Sequence, residues 1–552
     1  MLTIQLWYSN KRYMKAKANT TSRPYLPPLA ERRISDLLLR QANQRPDSIA
    51  LTFPALGSTW TYQQLRDQAL KLGSGLKSLG LQRGDRVGIM LENCPEYVLT
   101  WFGSLFMGAI DVSINHGLSG SLLRHQLSIT GVKAVVCNAP SSRAVREVAA
   151  DLSDLEWVIT IDPLEEEPVV VPSVAFASLL ASPPIEPQPS APQDIASIRY
   201  TSGTTGPAKA VAMSHSRVTT FATLFVWLTD YGPSDRLYTS FPLHHGIAST
   251  LGVVATLVSG GSLIIDPKFS ASRYWAQIRA YDATLAHILN PLVPILLAQP
   301  PTADDRDHKC TRLWTASPNR TFEERFGPKL IYFYGQSEGG PIAFIPPGEV
   351  APAGSSGKAS PYFEVKICDE DDNPVPDGAL GQILWRPREP HLMTPGYFGD
   401  PEATVKAWQG LWFHSGDQGK LDDEGYLYLV GRMGDQIRRR GVNIPSDDIE
   451  EVALQFNGVS EAAATAVPSE LGESDVRLSI IVNSSFDLTA FVAHLRGSLP
   501  PEMVPRFVER RDSLPRTDTY KVAKARLRQD WPGATGPNVL DLEASRRSSR
   551  AP

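Results

Sequence analysis

The segment from Tyr200 to Ala210 has the residue types of a phosphate-binding turn, and it reads Tyr-Thr-Ser-Gly-Thr-Thr-Gly-Pro-Ala-Lys-Ala. Two glycines allow backbone N–H groups to curl around phosphate oxygens, hydroxyl groups add donors, and a lysine adds a positive charge. The GxxxxGK[ST] spacing of a Walker loop is absent. Because Ser, Thr and Gly are also ordinary loop residues, a plain surface turn remains the alternative. The candidate phosphate-binding residues of the turn are Thr201, Ser202, Gly203, Thr204, Thr205, Gly206 and Lys209.

The turn follows a short predicted strand at 195–200, and predicted strands alternate with helices along the preceding sequence. This alternation favours a mostly parallel, doubly wound sheet. From Gly354 onward short strands dominate, and after Arg432 helix and strand are mixed again. We therefore predict an α/β fold: a large N-terminal domain of doubly wound sheets with a small β-barrel-like part, and a small mobile α+β C-terminal domain.

The predicted domain boundaries follow changes in composition. Residues 1–28 are polar and aperiodic and are predicted to form an N-terminal arm. Residues 29–432 form the large domain and residues 433–530 the small C-terminal domain. The last segment, 531–552, is rich in Ser, Arg, Pro and Gly and is predicted to be disordered.

Composition argues against several classes of protein. The chain has 54 Lys+Arg against 59 Asp+Glu, a net charge of −5, so nothing attracts it to nucleic acid as a whole. The four cysteines are too widely spaced for a metal clip or a disulfide framework. An uncharged window at 241–265 is interrupted by Pro, His and Gly, which favours a buried helix and strand over a membrane span. We expect no nucleic-acid partner, no stable membrane span and a cytoplasmic location.

Eight motifs in a fixed order resemble the superfamily of adenylate-forming enzymes, which includes acyl-CoA synthetases, luciferases and peptide-synthetase adenylation domains. They lie at 200–210, 242–245, 334–338, 354–357, 396–404, 415–417, 431–450 and 514–521. The segments 268–275 and 299–304 look most like the carnitine/crotonobetaine-CoA ligase branch. The resemblance implies an acid–thiol ligase that converts a carboxylic acid, through an acyl-adenylate, to its CoA thioester, with ATP, CoA and Mg²⁺.

Four residues take catalytic roles by this resemblance. Lys521 would bridge the carboxylate and the α-phosphate, where its charge offsets their repulsion. Glu338 would bind Mg²⁺, which prefers oxygen ligands beside phosphates. Ser337 would donate to the carboxylate or the α-phosphate, and His245 would gate the acyl pocket. A solvated acid, a turn-forming serine and a core histidine are the alternatives for the last three.

The nucleotide would be held by residues of three further motifs. Tyr334, followed by Gly335, would offer an aromatic face to adenine, unless it is a core tyrosine. Asp417 would accept hydrogen bonds from the ribose hydroxyls, and Arg432 would reach ribose or phosphate. An ordinary Asp–Arg surface pair is the alternative, and such a pair adds little stability.

The resemblance also implies a small domain that rotates between the two half-reactions. The hinge would be Gly434, since glycine tolerates large changes of φ and ψ. After rotation, Arg438, Arg439, Arg440 and Gly441 would face CoA and attract its phosphates. A solvated basic turn is the alternative.

Three departures from the superfamily pattern lie near ATP or the adenylation lysine. Ala210 stands where the phosphate turn normally ends in glycine, Tyr520 stands where glycine normally precedes the lysine, and the adenine wall reads Trp314 to Pro318. A Cβ at position 520 disfavours a positive φ and would aim Lys521 differently. Two alternatives follow: a ligase that only converts a preformed acyl-adenylate to the thioester, as in diterpenoid antibiotic pathways of the platensimycin type, and a non-catalytic adenylate- or CoA-binding protein.

The acyl pocket is predicted from glycines and aromatic residues near the Glu338 motif. Two glycines after Glu338 leave room for a bulky or polycyclic acid, and aromatic side chains provide an apolar lining. A separate adenylating enzyme and a second copy of the chain, as a homodimer, are further partners left open. The predicted lining residues are Phe225, Trp227, Trp314, Gly339 and Gly340.

Overall fold

A computed structural model describes most of the chain. The described residues are 24–163, 170–201, 208–290, 292–315, 318–435, 437–439, 442–444, 446–469, 474–517 and 520–543.

The strands are numbered here in chain order. They are β1 Ile49–Phe53, β2 Ser58–Thr61, β3 Arg86–Met90, β4 Ile110–Ser113, β5 Ala134–Cys137, β6 Trp157–Thr160, β7 Ser173–Ala175, β8 Ile195–Tyr200, β9 Ala210–Ser214, β10 Arg236–Thr239, β11 Ser262–Ile265, β12 Leu285–His287, β13 Arg312–Thr315, β14 Lys329–Gln336, β15 Gly340–Phe344, β16 Lys358–Ala359, β17 Phe363–Cys368, β18 Gly381–Pro387, β19 Trp408–Gln409, β20 Trp412–Leu421, β21 Leu427–Arg432, β22 Ile437–Arg439, β23 Val442–Ile444, β24 Val459–Pro468, β25 Ser474–Val482, β26 Phe507–Arg510 and β27 Val539–Asp541.

The helices mostly connect or cover these strands. The α-helices are Ile34–Gln44, Tyr62–Ser78, Pro95–Met107, Gly120–Thr130, Ala139–Val148, Phe176–Leu179, His215–Thr229, Gly246–Ala248, Ala255–Ser259, Tyr274–Ala280, Leu292–Leu297, Arg320–Phe326, Pro401–Ala407, Ser446–Leu454, Leu488–Ser498 and Lys524–Gln529. A π-helix, Ser249–Val254, joins two of them, and short 3₁₀ turns lie at Leu29–Glu31, Pro54–Leu56, Ala149–Asp151, Ala303–Arg306 and Met433–Asp435.

Two large, mostly parallel sheets form the body of the protein. The first has the strand order β7-β6-β5-β3-β4-β8-β9 and is parallel except for the pair β8–β9. The second has the order β16-β15-β14-β13-β12-β10-β11-β1-β2, with antiparallel pairing only at its two ends. Helices between the strands are the connections that parallel strands require. The predicted doubly wound α/β fold is confirmed.

Smaller sheets complete the molecule. Strands β17 to β21 form a five-stranded antiparallel sheet, the expected barrel-like part. Strands β24 to β27, with helices from 446 to 529, form a separate α+β core around Val476, Leu478 and Phe491. We call this last part the C-terminal domain.

Long apolar runs explain why the central helices are buried on every side. In the helix Pro95–Met107 every residue except Glu96 is buried. It packs against Tyr62–Ser78 at two glycines, because a Cβ on Gly73 would lie 2.9 Å from the Gly103 carbonyl oxygen. The window at 241–265 folds into buried helices followed by β11, as predicted. Among the described residues, no helix is both long and apolar enough to cross a bilayer.

The four cysteines are unpaired, and three of them are buried. Burial raises the pKa of the Cys137 and Cys310 thiols to about 12, so these two side chains stay protonated and behave as core residues.

Two terminal predictions are answered in part. The described residues of the predicted arm include a buried Leu26, and the Pro24 carbonyl accepts a hydrogen bond from the Tyr362 hydroxyl. The prediction that residues 531–552 are disordered is wrong for 531–543. Here β27 pairs with β26, and Trp531 packs on Phe507 at a ring distance of 5.1 Å. The apolar residues Val539 and Leu540 supply a short strand that composition alone did not indicate.

The boundary predicted at Arg432 coincides with the end of β21, and the 3₁₀ turn Met433–Asp435 follows directly. The division into domains remains a prediction. Asp435 is tied to the C-terminal domain, because its Oδ1 lies 3.2 Å from Arg528 Nη1.

Candidate active site

Asp417 lies at the centre of the site, where β20 passes the end of β14. Its Oδ2 accepts hydrogen bonds from the Tyr334 hydroxyl (2.8 Å) and from Gln336 Nε2 (2.7 Å). Its Oδ1 lies 2.8 Å from Nε of Arg432, the residue opposite it on β21. Burial raises the pKa of the Asp417 carboxyl, and Arg432, Tyr334 and Lys521 oppose that rise. The carboxylate is thus held in one orientation by donors from two strands.

Lys521 enters the same cleft from the C-terminal domain. Desolvation and the Arg432 charge lower the pKa of Lys521 from its ordinary 10.5, whereas the Asp417 charge opposes them. The residue is exposed to solvent, and its charge lies close enough to Asp417 and Arg432 to interact electrostatically with both. The predicted residues Tyr334, Asp417, Arg432 and Lys521 are therefore brought together.

Glu338 and Lys209 both contact the side chain of Tyr397. The Tyr397 hydroxyl donates to Glu338 Oε1 at 3.0 Å, and Lys209 Nζ lies 4.7 Å from the centre of the Tyr397 ring. The Thr201 N–H donates to the Lys209 carbonyl at 3.1 Å, so the two ends of the phosphate turn are closed on each other. Between them, Ser202, Gly203, Thr204, Thr205 and Gly206 lie outside the described residues. A cation and an acid are thus placed at the base of this turn.

A buried arginine, Arg217, binds the backbone of the Glu338 motif. Arg217 belongs to the helix His215–Thr229, whose N-terminus is capped by Ser214. Its Nη2 donates hydrogen bonds to the Ser337 carbonyl and, at 3.3 Å, to the Gln336 carbonyl. Burial lowers the pKa of Arg217 to about 10, and the Glu338 charge opposes this. The guanidinium group fixes the backbone that carries Glu338 and adds positive charge behind it.

Tyr520, in the turn before Lys521, occupies the position at which the superfamily pattern has glycine. Tyr520 has φ +63°, in the left-handed region that costs a side chain roughly 1–2 kcal/mol. Two hydrogen bonds close the turn, from Tyr520 N–H to the Thr517 carbonyl (2.9 Å) and from Thr517 N–H to the Lys521 carbonyl (2.8 Å). Arg516 Nη1 also donates to the Tyr520 carbonyl at 2.6 Å. Tyr520 adopts the left-handed conformation that glycine would take, and the predicted redirection of Lys521 stays a prediction.

The second departure, Ala210, also differs from its expectation. Ala210 is the first residue of β9, pairs with Tyr200, and is fully buried among Met90 and Ile198. Its methyl group therefore belongs to the core of the seven-stranded sheet. Sequence spacing alone did not reveal that the strand turns this methyl group into the core.

Two of the predicted pocket residues, Phe225 and Trp314, belong to one buried aromatic cluster. The Phe225 and Trp314 rings are 6.5 Å apart, and both contact His287, at 5.5 and 5.7 Å. Among the residues that the structure describes, the buried atoms His287 Nε2 and Trp314 Nε1 have no hydrogen-bond partner. Burial lowers the pKa of His287 to about 3, so its imidazole is neutral. The cluster lies at the carboxyl ends of β12 and β13, the edge at which parallel sheets bind ligands.

The other three predicted pocket residues either lie away from the aromatic cluster or leave no space for a substrate beside them. Trp227 faces away from the cluster and packs on Phe344, at 5.7 Å. A Cβ on Gly339 would lie 2.8 Å from Trp385, and one on Gly340 would lie 3.3 Å from Phe221. These glycines are needed because aromatic rings already fill the space beside them, so the room inferred from the sequence is occupied.

The predicted gate, His245, begins a helix. Its Nδ1 accepts a hydrogen bond from the Ile247 N–H at 3.3 Å, and its carbonyl accepts one from Ser249 Oγ at 3.0 Å. This N-terminal cap holds the His245 side chain at the start of the helix Gly246–Ala248. The role of His245 remains a prediction.

The predicted CoA-binding residues are only partly described. Arg440 and Gly441 lie outside the described residues, and the backbone of Arg438 belongs to β22. Arg439 is buried and its guanidinium is occupied: Nε lies 3.2 Å from Asp475 Oδ1, and Nη2 lies 2.9 Å from Glu543 Oε1. Any contact between Arg439 and CoA requires these bonds to be exchanged. The proposed hinge, Gly434, lies within the 3₁₀ turn Met433–Asp435.

The structure also identifies functional residues that the sequence did not. Tyr397, Gln336 and Arg217 all contact the motif residues directly. Gln336 and Tyr397 lie inside the motifs 334–338 and 396–404, so their positions in the sequence could have identified them as site residues. Arg217 carried no such signal, because an arginine in an apolar helix is apparent as a buried cation only after folding.

We predict that Tyr397→Phe lowers kcat/KM for ATP in adenylation about 5-fold, because it removes one hydrogen bond to Glu338, worth about 1 kcal/mol, and keeps the ring beside Lys209. Initial rates of pyrophosphate release at several Mg²⁺ concentrations measure the effect. Tyr238→Phe is a matched control, since the Tyr238 hydroxyl donates to Asp266 at 2.9 Å. Equal losses in the two variants would contradict the prediction.

Comparisons with known proteins identify the family of the chain. The family model described as AMP-binding enzyme matches residues 38–398. The chain is 27% identical over 502 residues to a crotonobetaine/carnitine–CoA ligase of Salmonella arizonae, covering 87% of this chain and 96% of that protein. Among solved structures, it is similar to the anthranilate CoA ligase AuaEII in complex with anthranoyl-AMP, with a TM-score of 0.81, 24% identity, and coverage of 91% and 98% of the two chains. It is also similar to ATP-bound MatB from Rhodopseudomonas palustris, with a TM-score of 0.79, 24% identity, and coverage of 90% and 98%.

The family match spans more than half of the chain, and the structural similarity extends through the C-terminal domain. The resemblance to adenylate-forming enzymes, and within them to the carnitine/crotonobetaine-CoA ligases, is confirmed. Because the family model matches residues 38–398, the chain belongs to the family of AMP-binding enzymes.

Proposed function

We propose that the protein is an ATP-dependent acyl-CoA ligase that performs both half-reactions. In the first, a substrate carboxylate attacks the α-phosphate of ATP, forming acyl-AMP and releasing pyrophosphate. In the second, the CoA thiol attacks the acyl carbon, transfers its proton to a base or solvent, and displaces AMP. The observation that carries the proposal is the buried Asp417 carboxylate, held by Tyr334, Gln336 and Arg432, with the charge of Lys521 close enough to interact with it.

The charges in the cleft suit adenylation. A carboxylate and a triphosphate repel each other, and Lys521, Arg432 and Lys209 place positive charge around the point at which they must meet. Desolvation strengthens these interactions, because fewer water molecules screen them. Asp417 accepts three hydrogen bonds, and a carboxylate offers about four lone-pair sites, so it can accept a ribose hydroxyl with little rearrangement.

The chemistry also calls for Mg²⁺, and the described residues fit it. No group of three His, Cys, Asp or Glu side chains that could hold a metal occurs among them. Mg²⁺ commonly uses one or two carboxylates together with substrate phosphates and water, so Glu338 is a sufficient protein ligand. When bound, the ion would neutralise phosphate charge, and Tyr397 would keep the Glu338 carboxylate oriented toward it.

A ligase restricted to thioester formation remains the second candidate. It was suggested by Ala210 and Tyr520, and its known examples act in antibiotic biosynthesis of the platensimycin type. Both departures are accommodated here: the Ala210 methyl is in the core and Tyr520 takes the left-handed conformation. A separate adenylating enzyme is then unnecessary, and a non-catalytic binding protein would have no need of Lys521.

The size of the acid is a further proposal. The sequence favoured a bulky or polycyclic acid, but Trp385 and Phe221 occupy the space beside Gly339 and Gly340. We therefore propose that a large acid is accepted only if the cluster of Phe225, His287 and Trp314 opens. The two unpartnered nitrogens of that cluster would then favour an acid bearing a hydrogen-bonding group. A homodimer and a cytoplasmic location also remain predictions.

The proposal is tested with purified protein, ATP, Mg²⁺ and a panel of aliphatic, aromatic and polycyclic acids, with and without CoA. We expect acid-dependent pyrophosphate release without CoA, and AMP with an acyl-CoA when CoA is added. Thioester formation only from supplied acyl-AMP would establish the second candidate, and no product in either assay would indicate a binding protein.

Ala210→Gly separates the two candidates further. Because the methyl group lies in the core, we expect adenylation to change less than about 2-fold, with a small loss of stability from the added backbone freedom. Pyrophosphate release and a thermal melt measure the two effects. A large gain in pyrophosphate release would favour the second candidate.

A further inference from the structure

The segment Lys268–Trp275, which carries the likeness to one branch of the superfamily, has no part in the site as described so far. It follows β11 on the large domain, and its second residue is Phe269. The Phe269 ring contacts Tyr274 at 5.8 Å, and Tyr274 is fully buried in the core of the nine-stranded sheet. Phe269 is therefore the outer end of a row of aromatic rings anchored in the large domain.

Tyr520 of the C-terminal domain packs on this outer ring. The two ring centres are 5.8 Å apart at an interplanar angle of 69°, an edge-to-face arrangement that aromatic pairs prefer. Tyr520 is partly buried against the core of the large domain, although it belongs to the C-terminal domain by sequence. Burial raises the pKa of its phenol, so the docked side chain is neutral.

The backbone of the turn forces Tyr520 into this position. Its φ of +63° is unfavourable for any residue with a side chain, and a glycine would avoid the cost. Within the C-terminal domain, Arg516 both holds the Tyr520 carbonyl, at 2.6 Å, and pairs with Glu461. Tyr520 therefore has an unfavourable backbone conformation, a carbonyl held by Arg516 and a ring packed on Phe269, and it directly precedes Lys521.

We propose that Tyr520 is a positioning residue: docking of its ring on Phe269 holds the Lys521 turn against the large domain and favours the arrangement used for adenylation. This inference rests on the proposed two-step function. Because any movement of the C-terminal domain must break the contact, the same ring slows the change to the arrangement used for thioester formation.

The half-reactions are measured separately in single-turnover assays: adenylation by acid-dependent pyrophosphate release, and thioester formation from supplied acyl-AMP and CoA. For Tyr520→Ala and Phe269→Ala we expect adenylation to fall about 10-fold, the size of effect that a lost aromatic contact gives. Thioester formation should stay equal to that of the wild type or rise. In the double variant the loss should be no greater than in either single variant, because both remove the same contact.

Three controls separate docking from other effects. Tyr520→Phe keeps the ring and should retain adenylation within about 2-fold. Tyr520→Gly removes the ring and the strain together, so its adenylation should lie between that of Tyr520→Ala and the wild type. Tyr25→Ala removes a ring that is 55% exposed on the N-terminal segment and should leave both rates unchanged.

A readout independent of turnover covers the case in which no acid is adenylated. Hydrogen exchange of the peptides around 262–273 and 516–526 should rise in Tyr520→Ala and Phe269→Ala, and stay unchanged in Tyr520→Phe and Tyr25→Ala. If wild-type adenylation is absent but this exchange pattern holds, the proposed function fails and the docking contact stands. The inference is overturned if Tyr520→Ala adenylates as fast as the wild type, if both half-reactions fall together, or if exchange at 262–273 does not change.

Discussion

Lys521→Ala is expected to slow adenylation by about 10²- to 10³-fold, the cost of removing one pre-positioned charge from the reaction site. Thioester formation from supplied acyl-AMP is expected to stay within about 3-fold of the wild type, because no new charge must be brought to the phosphate in that step. Pyrophosphate release and CoA thioester formation, measured on the same preparation, give the two rates.

Lys309→Ala is the matched control for this variant. Lys309 is a surface lysine, 66% exposed, that pairs with Asp282 at 2.9 Å, and its removal should change neither rate. If Lys521→Ala reduced both half-reactions equally, Lys521 would act in folding or in nucleotide binding in general, and the role given to it here would be wrong.

The pH dependence of adenylation reports on the same ammonium group. Desolvation and Arg432 lower the Lys521 pKa from its ordinary 10.5, so the charge needed for adenylation is lost, as pH rises, earlier than it is for an exposed lysine. Arginine stays charged throughout this range. The alkaline decline in adenylation should therefore move to higher pH in Lys521→Arg, whatever the absolute rate of that variant.

Asp417→Asn is expected to weaken both half-reactions, in contrast to Lys521→Ala. The substitution removes the negative charge and replaces one of the two carboxylate oxygens with an NH2 group, so the donors Tyr334, Gln336 and Arg432 share a single acceptor oxygen. Hydrogen bonds to charged groups contribute about 1.5–3 kcal/mol, so KM for ATP and for acyl-AMP should each rise about 10- to 100-fold.

Saturation kinetics in ATP and in supplied acyl-AMP measure this effect, and a thermal melt checks that the fold is retained. Asp422→Asn is a control in the same sheet, because Asp422 accepts bonds from Tyr426 and Tyr428 in the turn after β20. A rise in KM for ATP without one for acyl-AMP would show that Asp417 does not bind the part that the two nucleotides share.

The fold was predictable because it depends on local patterns that repeat. Buried strands at 86–90 and 134–137 alternate with helices, and that alternation leaves few arrangements other than parallel sheets. The ordered motifs likewise predicted that Asp417, Arg432 and Lys521 converge, although Lys521 comes from another domain.

The parts that were not predicted depend on contacts between distant segments. The direction of the Ala210 methyl follows from the register of β8 with β9, which composition does not specify. The left-handed backbone at Tyr520 is held by Arg516, Thr517 and the Phe269 ring, and a single-residue preference could not anticipate their combined effect. Arg439 resembled a free cation until Asp475 and Glu543 were brought beside it.

The same reasoning explains why substrate choice is the least predictable feature. Gly339 and Gly340 suggested open space, but an absent side chain leaves room only if no neighbour fills it, and here Trp385 and Phe221 do. Packing density in protein interiors is high enough that such space is usually taken.

The central claim, that this chain joins a carboxylate to the α-phosphate of ATP before CoA reacts, is tested most directly by following carboxylate oxygen. The best acid from the panel is labelled with ¹⁸O in both carboxyl positions and converted with ATP and CoA, and the AMP is analysed by mass spectrometry. The account predicts that AMP carries one ¹⁸O atom, because the bridging oxygen of the acyl-adenylate leaves with the phosphate. Thioester formation accompanied by unlabelled AMP, or by ADP in place of AMP, would contradict it.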